Sequence, residues 1–277
     1  MFTSFLLTFL NLSMSAMAYE HVAEATFAAS YYRLGAQADM RYGLRTPMFE
    51  KDDSVLFQGT GLKTVATLAA TPAYLRAGGR ITFTPLAIVD LHIHGGYDQY
   101  FGNFQTVVGY PDPSDNYGTN ADIAQHAEDT DNQMTGRGYH VGGQIVVKAK
   151  AGPIIVVGSG DLTHFNIQSE ATGPWFFERE KEVMMSLNGD GDIAIDTNGL
   201  LMYQMDFEDN GWARLGSFTT WRGGLKSEDR LLRSGLIASY NNGSAFTHNL
   251  IVQPYLSDRA FTSPWPPYTA YALKFEG

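Results

Sequence analysis

The stretch LGAQADMRYGLR, residues 34–45, alternates apolar or small side chains with polar ones along its length. Leu34, Met40 and Leu44 fall at even positions, whereas Asp39 and Arg41 fall at odd positions. In an extended chain successive side chains point to opposite faces, whereas a helix brings residues three and four apart onto one face. The stretch is therefore predicted to form a β-strand with one apolar and one charged face.

The same period of two recurs elsewhere in the chain. Similar alternation is found in residues 73–84, 89–101, 139–150, 246–256 and 268–275. Further strands are predicted near 54–69, 154–167, 175–187, 197–208, 212–222 and 231–241. The chain is therefore predicted to be all-β, with about twelve strands and a range of ten to fourteen.

The polar faces of the predicted strands carry full charges and histidines. In a closed antiparallel barrel that crosses a membrane, such faces line the lumen and the apolar faces contact lipid. Aromatic residues gather at predicted strand ends, in 97–104, 175–177 and 265–268, where interfacial girdles lie in such barrels. The predicted lumen-lining polar residues are Asp39, Arg41, Arg45, Arg76, Arg80, Asp90, His92, His94, Asp98, His140 and Lys148.

The N-terminus resembles an export signal. Residues 5–12 form an apolar core, and Ala16-Met17-Ala18 has the small-x-small form of a cleavage site, although the first four residues contain no Lys or Arg. We predict a signal peptide over residues 1–18 and a single barrel domain over residues 19–277. No later stretch has the roughly 18 consecutive apolar residues of a transmembrane helix, so a membrane-spanning protein would have to cross with strands.

The leader ending in SAMA, the alternating strands at 34–45, 73–84, 89–101 and 139–150, and the C-terminal strand YALKFEG together resemble outer-membrane β-barrel proteins of Gram-negative bacteria. The resemblance is architectural and covers essentially all of residues 19–277. It implies an outer-membrane location, contact with membrane lipid and lipopolysaccharide, and passage of small solutes through the lumen. It implies no specific activity. Barrels of this class usually end on an aromatic residue, whereas here Phe275 is followed by two more residues.

The composition excludes some functions. The 277 residues include 19 basic and 29 acidic side chains, giving a formal net charge of −10, and no Cys. An acidic balance argues against nucleic acid as a partner, because nucleic acid binding rewards clustered Lys and Arg. Without Cys the chain has no disulfide framework and no thiolate chemistry.

The stretch IVDLHIHGG, residues 88–96, suggests a different function. It resembles the D-x-H-x-H motif of metal-dependent amidohydrolases, in which His92 and His94 would bind the metal. That fold needs parallel strands alternating with helices, whereas strands 73–84 and 89–101 are joined by a turn too short for a crossover. A metal-dependent hydrolase and a soluble exported β-sandwich binding module are kept as alternatives.

The connections are unequal in length. Residues 84–87 and 150–153 are predicted tight turns, and residues 103–138 are predicted to form a long, polar surface loop. In bacterial barrels short turns face the periplasm and long loops face outward. With the strands predicted above, however, both termini would lie at the long-loop end. We expect a non-enzymatic barrel without a cofactor that acts as a narrow, porin-like channel or a structural barrel.

Overall fold

A computed structural model describes residues 19–31, 35–51, 53–105, 107–178, 180–187, 189–207, 210–257 and 266–276. The predicted signal peptide, residues 1–18, lies outside the described residues. The strands in chain order are β1 (Glu20–Tyr31), β2 (Gly35–Pro47), β3 (Gly61–Ala70), β4 (Tyr74–Leu86), β5 (Val89–Tyr100), β6 (Gly109–Tyr110), β7 (Gly136–Ala151), β8 (Ile154–Ser169), β9 (Trp175–Glu178), β10 (Val183–Ser186), β11 (Asp192–Asp206), β12 (Trp212–Gly224), β13 (Arg230–Asn241), β14 (Phe246–Gln253), β15 (Tyr255–Ser257) and β16 (Tyr268–Glu276). One α-helix, α1 (Asn120–Thr130), lies between β6 and β7.

Twelve strands close into an antiparallel barrel. Around the wall the order is β12, β11, β8, β7, β5, β4, β3, β2, β1, β16, β14 and β13, and β13 pairs again with β12. β15 continues β14 beyond Pro254 and pairs with the same neighbour, β13. Every strand has two hydrogen-bonded neighbours, so the wall has no free edge. The predicted all-β fold, an antiparallel barrel of about twelve strands, is confirmed.

The two faces of the wall carry different side chains. Leu75, Leu91 and Val147 point outward and are 38%, 42% and 48% exposed, together with many other large apolar side chains. Leu34, which belongs to the same predicted face, lies outside the described residues. A β-sandwich would hide this face between two sheets, so the closed barrel contradicts the sandwich alternative. β4 and β5 are antiparallel and joined by residues 87–88, which contradicts the parallel fold of an amidohydrolase.

The predicted strand list omits one wall strand and includes one segment that is not a wall strand, so the total of twelve is unchanged. The strand β1 was not predicted, because Ala23, Ala25, Ala28 and Ala29 lie on both of its faces and weaken the contrast between them. Residues 175–187 were predicted as a wall strand but form β9 and β10 away from the wall. Adding β1 places both described ends of the wall, β1 and β16, beside the two-residue turns 87–88 and 152–153.

The two longest described connections, residues 101–135 and 170–191, fold together at the opposite end. Their strands β6, β9 and β10 form a three-stranded sheet. On one side of this sheet α1 packs through Ile123 and Ala127. The prediction of a solvated loop over 103–138 was therefore wrong in part: Val107 and Val108 are 0% and 2% exposed.

The hairpin of β9 and β10 enters the barrel and is called the plug. Its Phe176 and Met185 join an apolar cluster with Tyr100, Phe165 and Leu231 of the wall. These wall residues belong to β5, β8 and β13, which lie on different sides of the barrel. The plug therefore crosses the lumen. Among the described residues, no helix has the length and apolar character needed to cross a membrane.

Candidate functional site

The candidate site is the charged lumen around the turn of the plug. This turn, called the plug tip, is described at residues 178 and 180–182. Glu178, Glu180 and Glu182 occur at every second position and reach different parts of the wall. Three carboxylates in a confined space need donors and cations, because burial of an unpaired charge is costly.

Arginines of the wall bind two of these carboxylates. Arg76 of β4 donates through Nη1 to Glu180 and through Nε to Asp98. Arg222 of β12 donates through Nη1 to Glu182 Oε2 at 3.1 Å. Arg233 of β13 has its Nη1 2.7 Å from the same oxygen. The plug tip thus links β4 to β12 and β13 through ion pairs that span the lumen.

Tyrosine hydroxyls lie beside each of the three acids as further donors. The hydroxyl of Tyr100 donates to Glu178 Oε1 at 3.1 Å. The hydroxyl of Tyr74 lies 3.2 Å from Glu180 Oε2 and 3.0 Å from Gln37 Oε1, and these two acceptors share its proton. The hydroxyl of Tyr255 donates to Glu182 Oε1 at 2.9 Å. Tyr100 and Tyr255 are buried, so these bonds form away from bulk water. Each carboxylate of the plug tip has its own phenol partner.

The electrostatic environments of Glu178 and Glu180 differ although the two are neighbours. Burial favours the neutral form of Glu180, but Arg76 and Lys181 outweigh it and lower its pKa to about 2. Burial raises the pKa of Glu178, and the negative charge of Glu180 raises it further. Glu180 is therefore the carboxylate of this pair that holds the plug as a charge.

The arms of the plug are anchored by backbone contacts. Asp229 accepts a hydrogen bond from the Met184 amide at 2.8 Å, and the hydroxyl of Ser227 donates to the Met184 carbonyl at 2.6 Å. Asp192 accepts from the Ser186 amide at 3.1 Å. Together with the apolar cluster, these bonds fix the arms, whereas the tip is held by charges.

Two His–Asp pairs lie beside the plug tip. His94 Nε2 is 2.9 Å from Asp161 Oδ2, and His140 Nδ1 is 2.8 Å from Asp98 Oδ2. The two imidazole centroids are 6.0 Å apart. Because Asp98 also accepts from Arg76, the second pair is joined to the plug by a chain of hydrogen bonds.

Glycines create the space for both imidazoles. A Cβ on Gly142 would lie 2.7 Å from His94 Cε1, and a Cβ on Gly96 would lie 3.0 Å from His140 Cε1. Each histidine thus lies across a glycine of the neighbouring strand. This is the structural role of Gly96 and Gly142, each two residues after a histidine.

The other predicted lumen residues lie at several levels of the wall and form separate contacts. Among the contacts described for them, Lys148 Nζ is 2.7 Å from Asp90 Oδ2, and His92 Nδ1 is 2.8 Å from the Thr82 hydroxyl. Arg41 pairs with Glu24, and Arg45, nearer the short turns, pairs with Glu20 and Glu50. Asp39 accepts from the amide of Gln37 at the opposite end of β2, beside the plug tip. The structure therefore gathers Arg76, His94, Asp98 and His140 near the plug, places Asp39, Arg41 and Arg80 around the space beside the plug tip, and distributes the rest along the lumen.

His92 and His94 do not act as a pair. They share the lumenal face of β5 but bind different partners, Thr82 and Asp161. Within the described parts of the chain, no group of three or more His, Asp or Glu side chains is placed to hold a metal ion. The geometry thus offers no metal centre built on the HxH motif in those parts.

The acids of the plug tip were missed at the level of sequence. The run EREKE, residues 178–182, has an acid at every second position inside a predicted strand. Its flanks, WFF and VMM, are apolar on both faces. That combination was a usable signal for a hairpin buried inside the barrel. The aromatic residues Tyr100 and Phe176, predicted at a membrane interface, are instead buried in the lumen.

A cavity of about 210 Å³ lies beside the plug tip. It is bordered by the cations Arg41, Arg76, Arg80 and Lys181, and also by carboxylates and both histidines of the His–Asp pairs. Ligand pockets for drug-sized molecules measure about 300–1,000 Å³. The cavity therefore suits a small solute with its water.

Solved structures of other proteins share this architecture, although no sequence comparison finds a relative. No family model and no curated protein sequence matches the chain. The β-domain of the Bordetella autotransporter BrkA superposes with a TM-score of 0.54 at 9% identity, covering 94% of this chain and 98% of that one. The fold is that of an outer-membrane β-barrel. At this identity the likeness establishes the fold and leaves the activity open.

Other outer-membrane proteins match less well. The translocator domain of the autotransporter NalP from Neisseria meningitidis has a TM-score of 0.39 at 10% identity, covering 99% of this chain and 92% of that one. LpxR from Salmonella typhimurium has a TM-score of 0.41 at 8% identity, covering 92% and 99%. At these TM-scores neither similarity bears on the function of this chain.

Proposed function

We propose that this protein is an integral outer-membrane barrel of a Gram-negative bacterium, without a catalytic role, that serves as a narrow channel closed by its plug. The observation that carries the proposal is the plug itself, whose tip is tied to the wall by Arg76, Arg222 and Arg233. The exposed apolar outer face would contact outer-membrane lipid and lipopolysaccharide. Small solutes would pass through the lumen after the plug moves.

The orientation follows from the connections. The described starts and ends of the wall lie with the two-residue turns 87–88 and 152–153, and the plug lies with the long connections. Bacterial barrels keep short turns in the periplasm and long loops outside. The plug would therefore close the lumen from the external side.

A gating role is favoured over a purely structural one by the kind of contact at the plug tip. Apolar packing holds Phe176 and Met185 at the arms, whereas the tip is held by charges that water and ions can replace. A filler whose only role is rigidity would gain more from apolar packing, because buried ion pairs are often no better than hydrophobic residues of similar volume.

The His–Asp pairs support this non-enzymatic assignment. A nucleophilic hydroxyl would have to donate to an imidazole. The described hydroxyl beside them, that of Thr163, donates instead to Asp161. The carboxylates of the two pairs are thus occupied by Arg76, Thr163 and the histidines.

Planar-bilayer conductance tests the proposal. Residues 175–186 are replaced by a short Gly-Ser linker, and folding is checked by heat-modifiable migration on a gel. We expect small or rare conductance steps for the full chain and larger, sustained steps after replacement of the plug.

A matched control inserts the same linker at the exposed turn of residues 112–115, which lies outside the plug. This variant should conduct like the full chain. A folded plug-replacement variant that conducts no more than the control would reject the channel.

A further inference from the structure

Arg80 is a lumenal cation that makes no direct ion pair among the described residues. It is half-buried on β4 and borders the cavity beside the plug tip. Within the described residues it has no hydrogen bond and no carboxylate within 4 Å, whereas Arg41, Arg45 and Arg76 each have an acidic partner. A guanidinium presents five donors in a fixed fork and accepts none. Arg80 therefore keeps its full capacity to bind an oxyanion.

The carboxylates that act on Arg80 through space are already bound by other groups. These are Asp161 and Glu24. Asp161 accepts from the Thr163 hydroxyl and lies 2.9 Å from His94 Nε2.

Glu24 is shared between two cations. Lys63 Nζ is 2.9 Å from its Oε1, and Arg41 Nη1 is 3.4 Å from its Oε2. One carboxylate thus serves two positive charges, and Arg80 adds a third. Glu24 is therefore engaged by Lys63 and Arg41 and gives Arg80 no direct partner.

Arg41 lies close enough to act on Arg80 electrostatically, and both border the cavity. They project from β2 and β4 on either side of β3, so one small ligand between them could receive donors from both. Asp39, two residues from Arg41, also borders the cavity. Its charge disfavours a polyanion and favours a ligand with a single oxyanion group.

We propose that Arg80, assisted by Arg41, forms a binding site for a small solute carrying one oxyanion group, a carboxylate or a phosphate. The fork of Arg80 would receive two ligand oxygens, the geometry that makes arginine–oxyanion pairs strong. This inference rests on the proposed channel and specifies the chemical class of the solute that it would admit. Its test measures binding alone, so a barrel that binds but does not conduct contradicts only the channel.

Isothermal titration of the full chain in detergent at low salt, with inorganic phosphate as the probe, tests the site. We expect saturable binding to the unaltered protein and at least about tenfold weaker binding after Arg80→Gln, because hydrogen bonds to charged groups are strong. Acetate should compete with phosphate. Arg80→Lys keeps the charge without the fork and should bind with intermediate affinity.

Arg45→Gln is the matched control, because Arg45 is a lumenal arginine already paired with Glu20 and Glu50. It should bind phosphate like the unaltered protein. The assignment is overturned if the unaltered barrel binds no phosphate, if folded Arg80→Gln and Arg80→Lys both bind as well as it does, or if Arg45→Gln loses as much affinity as Arg80→Gln. Failure of acetate to compete removes the carboxylate from the ligand class.

Discussion

Ion pairs between basic and acidic side chains occur at both ends of the lumen. They are buried at the plug and partly exposed near the short turns. At the plug, the Arg233 and Glu182 side chains form an ion pair in which each is 3% exposed. At the short-turn end, Lys148 pairs with Asp90 while its side chain is 44% exposed. Coulombic attraction is strong in a buried site and weak in water, but desolvation costs rise with burial as well. The plug end therefore depends on every partner being present, whereas the turn end tolerates losses.

The charged side chains also have different roles at the two ends. At the turn end, charged side chains line the lumen and remain partly exposed, as expected for a polar barrel interior. Those at the plug hold a second element across the lumen. Removal of one charge at the plug should therefore have a far larger effect on the stability of the closed structure than removal of one charge at the turn end.

Glu182→Gln should have the largest effect. The substitution keeps the size of the side chain but leaves Arg233 buried without its counter-charge, and breaking a buried ion pair costs about 3–5 kcal/mol. We expect the plug to open while the barrel stays folded. Trypsin cleavage after Lys181, located at the plug tip, measures the opening, and heat-modifiable migration measures the barrel.

Glu50→Gln removes an acid at the other end, where Glu50 is 39% exposed and shares Arg45 with Glu20. Cleavage after Lys181 should stay as slow as in the unaltered protein. Equal cleavage rates for Glu182→Gln and Glu50→Gln would show that the two ends do not differ as argued.

A low-pH opening of the plug is the next expected effect. Burial favours protonation of Glu180, but Arg76 and Lys181 lower its pKa from an ordinary 4.5 to about 2. A lowered pKa stabilises the closed plug above pH 4.5, and this contribution disappears as the pH falls from 4.5 towards 2. Pepsin, which is active in acid, should cleave the plug increasingly through this window. In Glu180→Gln the window should vanish, and an unchanged profile would assign the effect to another group.

The wall was accessible from sequence because its two faces meet different media. Period-two alternation therefore marks strands such as β2 and β5, and it fails at β1, where alanines lie on both faces. It also misassigns the plug, because acids at every second position in residues 178–182 resemble a lumenal face. The local pattern shows which face of a segment is polar. It does not show whether that face contacts water or the inner surface of the barrel wall.

The partners at the plug were beyond such reasoning. Arg76 binds Glu180, which is 104 positions away in the chain, and Arg233 binds Glu182 from a different strand of the wall. The pairing depends on how far the hairpin enters the barrel, which is set by packing of Phe176 and Met185. Arg80 illustrates the converse, since its lack of a direct partner among the described residues is visible only once the positions of the surrounding acids are known.

Gly142→Ala should lower the stability of the barrel to an intermediate extent. It tests whether the tightly packed region around the plug includes His94. The added Cβ would lie 2.6 Å from the Leu162 carbonyl and 2.7 Å from His94 Cε1. Overpacking of this kind costs about 1–3 kcal/mol, and displacement of His94 would break its hydrogen bond to Asp161. The midpoint of urea unfolding in detergent should fall. Gly158→Ala is the control, because its Cβ would meet nothing within 4 Å; a similar fall there would contradict the proposed packing.

Lys148→Gln should have the smallest effect. Its ion pair with Asp90 is half-exposed, and exposed pairs contribute about 0–1 kcal/mol because water and salt screen them. Asp90 keeps the hydrogen bond from the Thr84 hydroxyl at 2.7 Å, so its carboxylate is not left without a donor. The urea midpoint of Lys148→Gln should match that of the unaltered barrel, and any small difference should disappear in high salt. A salt-independent loss as large as that of Gly142→Ala would mean that the turn end is as dry as the plug end, and the contrast between the two ends would be lost.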